Sequence, residues 1–357
     1  MRHIYLSVAL SGLAALTLPS AAHAREELSL EKGEDWVHPH SEIAVPATLG
    51  GLERRGATAF AMDALNTGIN LGHGDDLLSV YVWRKTNGSV PVWFEQARLG
   101  IETRDAYKGA RLAGTSSAFA LPGRETVSGL RAAYDLPEGS SFSSTGLALF
   151  SLGEWFIKLR ASSATRDATA LDAWMMQAVG EMTLPTNLSP GPSVLPVKEC
   201  AEPLTFKKKA KDAPRDGAVS LLGGLLGQIA AQKATEAHAE NDTEPVVWCR
   251  DATLGDGQTM YRPDASTDRY LLAIGDSGSG VWVGLDQAAQ LMAGAKGGAK
   301  PQYSITLHLD DSNVNFVPQN RLPSPERVVE LIDKRRITTS VSTWGDDKAI
   351  RIQDDAM

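Results

Sequence analysis

Cysteine is scarce in this 357-residue chain: Cys200 and Cys249 are the whole complement, and aromatic residues make up 6%. No G-x-x-x-x-G-K-[ST] or G-x-G-x-x-G run occurs, so the glycine-rich phosphate loops that sequence can reveal are excluded, and no nucleotide cofactor is expected. The alternating acidic pattern of a calcium loop is missing too. The acidic pairs Asp75-Asp76, Asp310-Asp311 and Asp346-Asp347 read instead as solvated surface. Cationic charge is in deficit, with 35 Lys and Arg against 43 Asp and Glu and a net charge of −8. Nucleic acid and anionic lipid reward clustered cations, so neither is an expected partner. No apolar run reaches the ~20 residues a membrane-spanning helix requires. A metal site is not expected either. His38-Pro39-His40 with Glu42 nearby is a weak grouping in a polar segment, and zinc wants three or four ligands with support behind them.

What is present begins with Met1–Ala24: a basic start at Arg2, an apolar stretch from Ile4 to Leu18, and Ala22-His23-Ala24 before Arg25. That is the pattern of a secretory signal cut after Ala24, and it places the mature chain in the periplasm or outside the cell. In an oxidising compartment an even pair of cysteines reads as a disulfide. Cys200–Cys249 closes a long loop, worth about 4 kcal/mol by loop-closure entropy. Two separate buried thiols are the alternative; a redox pair would want C-x-x-C spacing.

The composition breaks at 185–203, where five prolines in a polar run read as a linker. The expected organisation is therefore a flexible mature start at 25–40, a first domain at 41–184, the linker, and a second domain at 204–350. In the first domain, 77–84 (LLSVYVWR) reads as a strand and Ser89 opens a helix bearing Trp93, Phe94, Ala97 and Ile101. Further strands are expected at 116–121 and 130–136, with a hairpin at 146–162. Asp167 can cap a closing helix with a Leu171, Trp174, Met175, Ala178, Val179, Met182 stripe. In the second, strands are expected at 246–250, 258–262, 269–274, 280–285, 303–309 and 337–341, with a helix at 324–335. An apolar, Gly-containing segment at 218–231 reads as a helix packing on its own domain, with self-association or lipid-surface docking as the sharper alternatives. The fold class is α+β: two domains, each a mostly antiparallel sheet covered by helices.

Gly275-Asp276-Ser277-Gly278-Ser279-Gly280 resembles the G-D-S-G segment around the nucleophile of trypsin-like serine proteases. The resemblance implies Ser277 as nucleophile, with the Gly275 and Ser277 amides as oxyanion donors. It covers six residues, and His38, His40, His73, His238 and His308 do not follow that family's order. The competing reading is a turn between the apolar runs RYLLAI and GVWVGL, and it is the one adopted.

The segments 77–84, 92–102 (VWFEQARLGIE), 146–162 (GLALFSLGEWFIKLRAS) and 171–179 (LDAWMMQAV) together resemble the PsbP-type α/β/α sandwich, in the manner of exported alphaproteobacterial proteins. The resemblance implies a non-catalytic binding or assembly role and transfers no site residues. The expected function is thus an exported binding or assembly protein of the cell envelope with a protein or small-molecule partner. A secreted serine hydrolase using Ser277 is the alternative, and self-association through 218–231 a second.

Overall fold

A computed structural model describes residues 25–72, 74–206, 208–213, 245–255, 257–286, 301–346 and 349–352. In chain order, the first part contributes β1 (Glu26–Leu28), β2 (Trp36–Val37), β3 (Ala44–Val45), β4 (Thr48–Leu49), β5 (Leu52–Ala59), β6 (Asn66–Leu71), β7 (Asp76–Arg84) and helix α1 (Val90–Thr103). There follow β8 (Arg111–Leu112), β9 (Ser117–Phe119), β10 (Gly129–Asp135), β11 (Ser144–Leu152), β12 (Trp155–Ser163) and helix α2 (Ala168–Glu181). These build a ten-stranded antiparallel sheet in the order β1-β5-β6-β7-β12-β11-β10-β8, with β4 on β5 and β9 on β10, while β2 and β3 pair apart. The second part forms a nine-stranded meander: β13 (Lys198–Glu199), β14 (Trp248–Thr253), β15 (Gln258–Pro263), β16 (Tyr270–Ile274), β17 (Gly280–Leu285), β18 (Tyr303–His308), β19 (Ser312–Phe316), β20 (Ile337–Ser342) and β21 (Ile350–Ile352). Helix α3 (Pro325–Asp333) lies between β19 and β20 in sequence. All pairs are antiparallel except β13 with β14.

Alternation along β7 and β12 explains how the first sheet serves two cores. Val80, Val82, Ile157 and Leu159 fall on one face and join the Leu171, Trp174, Met175, Ala178 and Val179 stripe of α2. Burying each such side chain contributes about 1.5–3 kcal/mol. The helix starts where expected, because the Asp167 carboxylate accepts the Ala170 amide at 2.8 Å. The opposite face carries Leu130, Leu147, Leu149 and Phe156 against Trp93, Phe94, Ala97 and Ile101 of α1, and the same cluster takes in Tyr261, Leu271 and Ala273 of the second sheet. Helix α1 therefore lies between the sheets. The far face of the second sheet packs Val281, Val283, Ile305 and Leu307 on Val328, Leu331 and Ile332 of α3.

Two expectations are corrected. The start at 25–40 is anchored rather than frayed: β1 pairs with β5 and Trp36 and His38 are buried, while most of its other side chains are exposed. Its polar look misled because the His38 ring nitrogens are both satisfied, Nδ1 by the Ser41 hydroxyl at 2.8 Å and Nε2 at the Ala64 carbonyl at 3.1 Å. The proline-rich run at 185–203 is a fastened strap. The Gly153 amide donates to Ser189 O, the Gly191 amide to Ser151 O and the Val194 amide to Val127 O, after which the strap enters the second sheet as β13. Proline removes donors from this run, and carbonyls and the remaining amides still suffice to pair it. The disulfide Cys200–Cys249 is formed, tying the end of the strap to β14. The apolar segment at 218–231 and His73 and His238 lie outside the described residues. Among the described residues no helix is long and apolar enough to cross a membrane.

Candidate functional site

The segment Gly275–Ser279 joins β16 to β17, whose register sets Ala273 opposite Gly280. A bend this tight uses left-handed backbone at Gly275 (φ 67°) and Gly278 (φ 96°). Gly278 has a second reason to lack a side chain. A Cβ there would stand 2.7 Å from Trp83 Nε1, because the loop rests on the end of β7.

The loop is bonded to the first sheet at several points. Lys158 on β12 donates to the Asp276 carboxylate at 2.8 Å and to the Asp276 carbonyl at 3.1 Å. The ammonium also lies 5.2 Å from the ring centroids of both Tyr81 and Trp83, close enough for cation–π attraction. Burial works to raise the Asp276 carboxyl, but the Lys158 charge and hydrogen bond outweigh it and hold the group below its ordinary value. The Asn87 side-chain amide donates to Gly278 O at 2.8 Å, with the Thr86 hydroxyl on the same oxygen at 3.3 Å.

Helix α1 braces the loop from below. The Gln96 amide group donates to Gly275 O at 2.8 Å and Gly257 O at 2.9 Å, while its oxygen accepts from the Tyr261 hydroxyl at 3.0 Å. Beside it Glu95 bonds Arg98 at 2.8 Å and Arg250 at 2.7 Å, joining the helix to β14. Glu95 and Gln96 are both buried, and each is satisfied by partners from across the chain, as buried polar groups must be.

Ser277 itself is half-buried. The amide of Gly275, an oxyanion donor on the protease reading, is turned to Gly257 O at 3.4 Å. None of the described histidines bonds Ser277. His38 is held by Ser41 and Ala64, and His40 by the Asp63 carbonyl at 2.9 Å and carboxylate at 3.3 Å. His308 is the register partner of Gly280 across β17–β18, three residues past the serine. Burial lowers its imidazole to about 4, with a hydrogen bond to Asn313 opposing. The cation beside the loop is Lys158, and a lysine already donating to a carboxylate has no lone pair with which to activate a hydroxyl.

A second polar cluster fixes the other end of the second sheet. Trp344 Nε1 donates to Asp63 Oδ2 at 2.6 Å, and its ring meets His40 edge-on at 4.9 Å. The Arg84 guanidinium lies 5.0 Å from the Trp344 ring and donates to Asp310 O and to both oxygens of Thr343, each at 3.0 Å. Asp310 is correspondingly not the solvated surface group its sequence suggested. Burial raises its carboxyl to about 6, against a hydrogen bond from Asn66. Among the described residues no group of three or more His, Cys, Asp or Glu is placed to hold a metal.

Sequence reasoning singled out Ser277 and missed Lys158, Gln96, Glu95 and Asn87. One signal was available: in Trp155-Phe156-Ile157-Lys158-Leu159, a lysine interrupts an otherwise apolar run of five strand residues. No protein-family model matches this chain, and no curated protein matches it significantly.

Proposed function

We propose that this chain is an exported, non-catalytic binding or assembly protein of the cell envelope. One observation carries the reading. The Gly275 amide, one of the two oxyanion donors an acyl-transfer site would aim at a substrate, is turned to Gly257 O, and the rest of the segment is pinned by Asp276 on Lys158, Gly275 O on Gln96 and Gly278 O on Asn87. A nucleophilic serine needs a free base within hydrogen-bond reach, and the described histidines are bonded elsewhere. Export is supported by the signal-like start at 1–24 and by the Cys200–Cys249 bridge, since disulfides persist outside the reducing cytosol.

Labelling of the purified mature chain with a fluorophosphonate probe, with Ser277→Ala as control, tests this. No Ser277-dependent labelling is expected. Labelling of the parent chain that disappears in the variant would overturn the reading in favour of a hydrolase.

A further inference from the structure

The face of the first sheet that receives the loop is only partly covered. Helix α1 covers the β10–β11 end and the Gly275–Gly280 segment meets β12 at Lys158. Beyond that point the register continues outward: Tyr81 pairs with Lys158, Ser79 with Arg160, and Asn70 with Ser79. Alternation puts all of these side chains on one face. The Ser79 hydroxyl donates to Asn70 Oδ1 at 2.8 Å, which makes a short polar floor. Phe60, 39% exposed, leans on Tyr81 with ring centroids 6.4 Å apart, giving the floor an apolar margin.

The charge on this patch is unbalanced. Arg160 follows Lys158 by two residues on the same face, and Arg104 caps the end of α1. Two residues before Arg104, Glu102 accepts the Tyr134 hydroxyl of β10 at 3.0 Å, and the register from Tyr134 through Thr145 to Ser162 sets that end of α1 next to the Arg160 row; both guanidinium charges act on Lys158 and Asp276. Asp276 is the carboxylate that offsets this group, and it is bonded to Lys158. Arg104 and Arg160 form no ion pair of their own among the described residues, so their charge is left to the patch. Three cations around one carboxylate stand out in a chain of net charge −8. Arginines without an ion-pair partner beside a polar, aromatic floor suit carboxylate and phosphate oxyanions, either of which guanidinium binds through two oxygens.

We propose that this patch, floored by Tyr81, Ser79 and Asn70 and flanked by Arg160 and Arg104, binds a small anionic molecule through its carboxylate or phosphate group. The proposal rests on the binding reading above and names the ligand class for it.

Titration calorimetry of the mature chain at low salt, with citrate and inorganic phosphate as separate probes, tests it. Saturable binding of at least one probe is expected. Citrate alone identifies a carboxylate site, phosphate alone a phosphate site, and both a site that reads charge. Arg160→Gln and Arg104→Gln are each expected to weaken binding about tenfold, the loss of one charge-assisted contact. Arg111→Gln, whose side chain is 81% exposed on β8 at the sheet edge, leaves binding unchanged. Arg104 is exposed at a helix end, so its variant folds even where Arg160→Gln perturbs the sheet. No saturable heat at millimolar concentrations of either probe overturns the proposal, as does binding by the Arg104→Gln variant as tight as that of the parent. Neither result touches the non-catalytic reading, which fluorophosphonate labelling decides on its own.

Discussion

Lys158 and Asp276 stand 118 residues apart in sequence and 2.8 Å apart in space, one on the central strand of the first sheet and the other in a turn of the second. The lysine side chain is 6% exposed and the carboxylate 35%. The pair is thus a fastening between sheets whose cationic half has no route back to water while the turn stays docked.

Breaking one side of such a pair costs more than replacing both. Asp276→Ala strands a buried ammonium and is expected to destabilise by about 3 kcal/mol, whereas the double change Lys158→Met with Asp276→Ala recovers most of that loss. Denaturant unfolding of the parent, the single and the double variants measures this. A double variant no better than Asp276→Ala would mean that the pair is not what holds the turn.

The two left-handed glycines of the turn should respond differently to a methyl group. Gly275→Ala meets open space and is expected to cost about 1 kcal/mol for its φ alone. Gly278→Ala adds a collision with the Trp83 ring and is expected to cost about 3 kcal/mol. Equal unfolding midpoints for the two variants would show that the turn does not rest on Trp83.

Asp310 gives a pH dependence with a definite sign. Its carboxyl is raised from 3.8 to about 6, so its favourable contribution is complete below the unfolded value and is lost as pH rises through the folded one. Asp310→Asn should therefore stabilise the chain at pH 7, by about 1–2 kcal/mol, and leave it near parental at pH 4. His38 and His308 act in the opposite sense. Burial first of all lowers each from 6.5 to about 4, so their contribution is present above 6.5 and lost as pH falls through 4. Thermal unfolding of parent and variant across this window checks both trends; a constant gap between them would remove Asp310 from the account.

Much of the first sheet was legible from local pattern. The strand expected at 77–84 forms at Asp76–Arg84, and the hairpin expected at 146–162 forms at Ser144–Leu152 and Trp155–Ser163, because β-branched and aromatic residues alternate there. The strands Leu52–Ala59 and Asn66–Leu71 were not legible. LERRGATA and NTGINL lack that alternation, and their place is fixed by neighbours: Thr67 bonds Val82 O at 3.3 Å, and Gly68 lies beneath Tyr81 and Phe60. The burial of Glu95 and Gln96 was hidden for a related reason. A helix read alone shows them on its polar face, and only the second sheet, about 160 residues further along, supplies their partners. The G-D-S-G-S-G run is the sharpest case. Its letters are local, but its meaning depends on Lys158, Asn87 and Gln96, which local pattern does not connect to it.

Helix α1 is engaged by both sheets: Phe94 and Ile101 share a core with Leu130 and Leu147 of β10 and β11, and Gln96 and Glu95 bond Tyr261 and Arg250 of the meander. A protease nick in the strap would therefore not release two independent halves. Each would be left with a bare flank that the other alone fits, so loss of either sheet should carry the whole molecule into one cooperative melt.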